Sequence, residues 1–134
     1  MSHQNPMFVH GNFSWQEHHG AQSSVSGNFY RDVLGWELEE IAHAGGQTYT
    51  TVKVAGLPTG GFIENEDTTA SWLPYITVDD VDRRVKAARE AGANIISEPN
   101  SVPGVGRMAT LIDPQGARIA FITYESMMEG TTNA

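Results

Sequence analysis

Cysteine is absent from the 134 residues, so disulfides and thiolate chemistry are excluded, and redox logic says nothing about compartment. Positive charge is scarce: eight Lys and Arg stand against sixteen Asp and Glu, a formal net charge of -8. The one basic cluster, Arg83, Arg84, Lys86 and Arg89, is interleaved with Asp80, Asp82 and Glu90, and reads as a solvated helix face. Nucleic acid is therefore not an expected partner. Apolar runs long enough to span a membrane are missing, and the mean hydropathy of -0.32 fits a soluble chain. The polar start shows no basic region followed by an apolar block, so the expectation is a cytoplasmic protein with no membrane partner. A nucleophile elbow is also missing, and Ser14, Ser97 and Ser101 have no recognisable base partner. Gly60-Gly61 and Gly104 to Gly106 lack phosphate-loop or dinucleotide spacing, and read as bends where a sheet curls.

What is present is a pattern written twice. Phe13 to Ile63 reads as strand, helix and three strands, and Trp72 to Tyr124 repeats that order. Neither half can close a core by itself, so the expectation is one domain over 13–125. Module one covers 13–63, module two 72–124, and residues 64–71 link them. Residues 1–12 read as a peripheral extension and 126–134 as a flexible tail.

In module two, Trp72, Pro74, Ile76 and Val78 share one strand face. Pro74 suggests an edge, or pairing on one side there. Asp79 reads as the helix cap, Val81, Val85 and Ala88 as the apolar stripe, and Gly92 as the stop. Asn94 to Ser97 is a short strand, Glu98 to Gly106 a loop, and Asp113-Pro114-Gln115-Gly116 a type I turn inside a hairpin. In module one the helix over Gln22 to Leu34 carries Ser23 or Ser24 as cap and Val25, Phe29 and Val33 as its inward stripe. Ala44-Gly45-Gly46 turns between the next two strands.

Phe29-Tyr30 with Leu34-Gly35-Trp36, then Val78-Asp79-Asp80-Val81-Asp82, Ala91-Gly92-Ala93, Gly106-Arg107 and Asp113-Pro114-Gln115-Gly116-Ala117, taken in order, resemble the vicinal-oxygen-chelate superfamily. That superfamily includes glyoxalase I, bleomycin-resistance proteins and extradiol dioxygenases, and the likeness is to a glyoxalase-like bacterial branch. The resemblance implies an α+β fold in which two tandem βαβββ modules form a curved, incomplete β-barrel with the helices outside. It also implies a cleft between the modules, and in metal-dependent members a divalent ion held by the first and last strands of each.

Carried over one by one, those ligand positions fall on Trp15, on Gly61 to Ile63, on Trp72 and on Ala120. None of these offers a clear ligand atom, so no cofactor is expected. The expected function is binding of a small organic molecule between Trp15 and Trp72. Glu17 would be hydrogen-bond acceptor or catalytic base, and His19, Arg118 and Ala120 would line the site. The alternative is a metal-dependent lyase, isomerase or dioxygenase using His10, Glu17 and His19 around Fe, Mn, Ni or Zn. A second alternative is a structural or interaction domain whose cavity the tryptophans close. His18 should point toward the helix, where the family has an aliphatic residue, while His3 and His43 have no identifiable role. Arg107 reads as a clamp on its own loop. Open strand edges make a homodimer the expected assembly.

Overall fold

The computed structural model describes residues 5–42, 48–65 and 69–132. His3, His43 and the Ala44-Gly45-Gly46 turn lie outside the described residues. The elements are β1 (Phe13–Gly20), α1 (Ser23–Leu34), β2 (Glu37–Ala42), β3 (Thr48–Val54), β4 (Leu57–Glu64), β5 (Ser71–Thr77), α2 (Val81–Glu90), β6 (Asn94–Val102), β7 (Gly106–Ile112), β8 (Arg118–Tyr124) and α3 (Glu125–Thr132). A 3₁₀ turn at Pro6–Phe8 precedes them. The chain is α+β, with the strand, helix, three-strand order occurring twice.

Two compact units emerge, Trp15–Leu73 (the first unit) and Met1–Ser14 with Pro74–Ala134 (the second unit). In the first unit β1 runs parallel to β4, with Glu17 beside Gly61 and His18 beside Phe62. Strand β3 pairs antiparallel with both β4 and β2. Ala55 and Gly56 both have positive φ, the backbone that a two-residue hairpin turn between β3 and β4 requires. Gly35 ends α1 in the left-handed conformation, its N–H reaching the Arg31 carbonyl at 2.8 Å. No side chain caps the start of α1; the Ser23 hydroxyl donates to Glu64 instead, at 3.2 Å.

The core of the first unit is aromatic. Tyr30 stacks on Trp36 at 5.0 Å, and Phe62, Trp72 and His18 pack around them edge-on or tilted. Val25, Phe29 and Val33 do not join this core. They are 61%, 57% and 61% exposed, so the expected inward stripe of α1 points outward. The inner surface of α1 is instead Gly27, where a Cβ would meet Leu38 at 3.3 Å, together with Tyr30. The wide rings of Tyr30 and Trp36 set which side of the helix turns in.

In the second unit β5 pairs parallel with β8 from Tyr75 to Thr77, starting one residue after Pro74. Strand β7 pairs with β8 and with β6. Helix α2 buries Val81 and Val85 against Val78 and Ala109, flanked by Ile76, Ile95 and Phe121. Its cap is Asp80, which accepts from the Arg83 N–H at 3.1 Å, rather than Asp79. Asp79 holds Arg84 with both oxygens instead, at 2.8 and 2.9 Å. Gly92 follows α2 with a φ of 102°, as expected of a stop residue. Strand β6 continues to Val102 through residues expected to loop, because Asn100, Ser101 and Val102 find partners on β7 across two register shifts. Arg107 clamps Ser101 at 3.0 Å, but also grips Asp82 on α2 through two hydrogen bonds at 2.6 and 2.8 Å.

Residues after Tyr124 form α3. At the other end Thr77 donates its hydroxyl to the Met7 carbonyl and its N–H to the Asn12 carbonyl, and Phe8 packs edge-on against Tyr124 at 5.6 Å. No helix among the described residues is long and apolar enough to cross a membrane.

Candidate functional site

Strand alternation puts Trp15, Glu17 and His19 on one face of β1 and His18 on the other. On the first of these faces the side chains form a continuous hydrogen-bonded chain. Trp15 Nε1 donates to Tyr49 Oη at 3.0 Å, and Tyr49 Oη donates to Glu17 Oε2 at 2.9 Å. His19 Nε2 lies 2.9 Å from Glu17 Oε1. An ionised carboxylate only accepts, so Nε2 carries the proton in this contact. The Glu17 and His19 side chains retain 12% and 16% of their exposure, and Tyr49 is buried. A low-dielectric wall therefore strengthens these contacts while the imidazole still reaches the surface.

Two glycines permit the arrangement. A Cβ at Gly61 would sit 2.2 Å from Tyr49 Oη, and a Cβ at Gly60 would sit 2.3 Å from the Gln16 carbonyl oxygen. These residues lie inside β4, not at a bend: Gly60 lets β1 approach, and Gly61 makes room for the phenol. Sequence reading identified Glu17, His19 and Trp15 but missed Tyr49. Its only sequence signal was the alternation within β3.

Other expected site residues are placed elsewhere. Trp72 packs against His18 at 5.1 Å and donates Nε1 to Tyr30 at 3.2 Å, so it lies on the opposite face from Trp15. The expected pair of facing indoles is not formed. The face shared by Pro74 and Ile76 is turned toward α2. Ala120 is buried between Tyr75 and Thr110 in the second unit. Arg118, in the same unit, borders an apolar hollow beside Phe13 and Pro114. His10 is occupied as well: its Nδ1 accepts the Asp79 N–H at 3.0 Å. Among the described residues, no three His, Cys, Asp or Glu side chains gather in a metal-holding group.

His18 is the strained member of the first unit. It is 6% exposed, and its Nδ1 is buried without a hydrogen-bond partner. Burial, reinforced by neighbouring His19, pushes its pKa below the ordinary imidazole value.

Residues 24–121 match the Glyoxalase/Bleomycin resistance protein/Dioxygenase superfamily. The chain belongs to this superfamily. It is 35% identical over 109 residues to the "Putative glyoxylase CFP32" of Mycobacterium bovis, covering 80% of this chain and 42% of that protein. It is 29% identical over 139 residues to the anthracycline biosynthesis protein DnrV of Streptomyces peucetius, covering 92% of this chain and 50% of that protein. The chain thus spans about half the length, or less, of these curated relatives. Methylmalonyl-CoA epimerase from Mycobacterium tuberculosis has the same fold, with a TM-score of 0.64 at 16% identity over 92% of this chain and 93% of the epimerase.

Superfamily members commonly hold a divalent ion, and the residues standing at those positions here do not suit one. Trp15 offers only an N–H, already given to Tyr49. Gly61 has no side chain, and the Tyr49 hydroxyl takes the space a ligand there would need. Trp72 is committed to the aromatic core, and Ala120 presents a methyl group. The donors left on the Trp15 face, Glu17 and His19, bind each other.

Proposed function

We propose that this protein binds a small, flat organic molecule over the face bearing Trp15, Tyr49, Glu17 and His19, without a resident metal. The observation that carries this reading is the saturated carboxylate. Glu17 is held on both oxygens, by the Tyr49 hydroxyl and by His19 Nε2, so a carboxylate is fixed beside an indole wall. Lys53 on β3 is paired to Glu39 at 2.9 Å. Such a surface favours neutral or cationic aromatic ligands and disfavours anions. The likeness to an anthracycline biosynthesis protein supports a planar aromatic ligand. The test is titration with an anthracycline, read as quenching of tryptophan emission. Wild type should saturate, and Glu17→Gln should weaken binding about tenfold, as expected for losing one charged contact. Equal affinity in Glu17→Gln and Trp15→Ala would exclude this face.

A catalytic reading is favoured by one feature, the Glu17–His19 pair. A carboxylate that fixes the Nε2–H tautomer presents Nδ1 as a proton acceptor toward a bound molecule, as in other oriented imidazoles. Glu17 would then orient the base. We also propose a homodimer, supported by the outward row of Val25, Phe29 and Val33 at i, i+4 and i+8, a ridge that suits self-packing about a two-fold. Sedimentation should show a dimer that Phe29→Asp converts to monomer, and an unchanged mass would reject this surface.

A further inference from the structure

The second unit contains a hollow of about 550 Å³ on the α2 side of its sheet, a volume within the ~300–1,000 Å³ usual for small-molecule sites. Its wall is almost wholly apolar and includes Pro74, Ile76, Ala88, Ala91, Leu111 and Phe121. The hollow exists because the end of α2 is written in small residues. Ala88, Ala91 and Ala93 stand where leucines would fill the space.

Arg118 stands at this wall, and it is half-buried. Arg84, Arg89 and Arg107 in the same unit are each paired to a carboxylate. Among the described residues the Arg118 side chain has no hydrogen-bond or ion-pair partner. Asp113, the acidic residue of the wall, accepts the N–H groups of Gln115 and Ala117, and those bonds hold its pKa below the usual carboxylate value. A half-buried guanidinium with no protein partner at an apolar wall is free to take an anion there.

We infer that this hollow is a second binding site, taking the apolar body of a monocarboxylate such as a medium-chain acyl or aryl acid, with Arg118 gripping the carboxylate. The fork of Arg118 matches two carboxylate oxygens, and the alanine-lined wall accepts the chain. The site is independent of the Trp15 face, which repels anions, so each can fail without the other.

The experiment is an amide and guanidinium NMR titration of the full chain with decanoate below its micelle concentration, with decanol as the uncharged control. Saturable shifts should centre on Ala91, Ala93, Ala117 and the Arg118 Nε–H. Decanol, or decanoate against Arg118→Gln, should bind at least about tenfold more weakly. Ala88→Trp, which fills the hollow from α2, should remove binding of both probes while leaving the remaining spectrum folded. Absence of saturable shifts, equal affinity in Arg118→Gln, or shifts centred on Trp15, Glu17 and His19 would each overturn the proposal.

Discussion

The two units repeat one order of elements but solve their cores differently. In the second unit α2 turns its valines inward, and Val81 and Val85 are each 2% exposed. In the first unit α1 carries the matching stripe, Val25, Phe29 and Val33, and presents it to the outside. The difference lies in the rings. Tyr30, Trp36, Phe62 and Trp72 fill the first unit, and Gly27 lets α1 settle onto Leu38. An aliphatic core lets periodicity choose the inner face of a helix, whereas an aromatic core lets a few large side chains choose it.

The contrast can be broken most severely at Phe62, the largest fully buried side chain. Phe62→Ala should cost about 3–5 kcal/mol in urea unfolding, because the surrounding rings cannot collapse into the gap. Next, Val85→Ala should cost about 2 kcal/mol, while Val33→Ala, at the equivalent stripe of α1, should stay within about 0.5 kcal/mol. Equal losses at Val85 and Val33 would mean that α1 is buried in the same way as α2.

His18 sharpens the comparison through pH. Its folded pKa lies below the unfolded value of 6.5, so the unfolded chain binds the proton more readily. The stability linked to a neutral His18 is complete above pH 6.5 and is lost as pH falls from there through the folded pKa. His18→Leu should flatten this acid slope and, by removing an orphaned buried nitrogen, raise stability by about 1–2 kcal/mol. Unchanged acid dependence of the melting temperature in His18→Leu would place the titration elsewhere. The smallest effect belongs to the helix caps. Asp80→Ala should cost about 1 kcal/mol, and Ser23→Ala less, since α1 has no side-chain cap to lose.

Much of this was legible in the residues. The order of elements, the stop at Gly92, the turn at Asp113 and the grouping of Trp15, Glu17 and His19 follow from alternation and from glycine placement. The direction of β5 was not legible, because alternation groups Trp72, Pro74 and Ile76 on one face without saying which way that face turns. Tyr49 was hidden for another reason. Its partner Glu17 lies 32 residues away, and the space it occupies is marked only by the missing side chain of Gly61. The hollow beside Arg118 is a matter of what the alanines of α2 leave unfilled, which no pattern of hydrophobicity records.

The central claim, a Glu17 carboxylate engaged by protein donors with no resident metal, meets its most direct test in calorimetric titration of the metal-stripped protein with Mn, Ni and Zn salts, in wild type and in Glu17→Gln. The account predicts no one-per-chain binding that depends on Glu17. Stoichiometric binding of any of these ions to wild type, lost in Glu17→Gln, would contradict it.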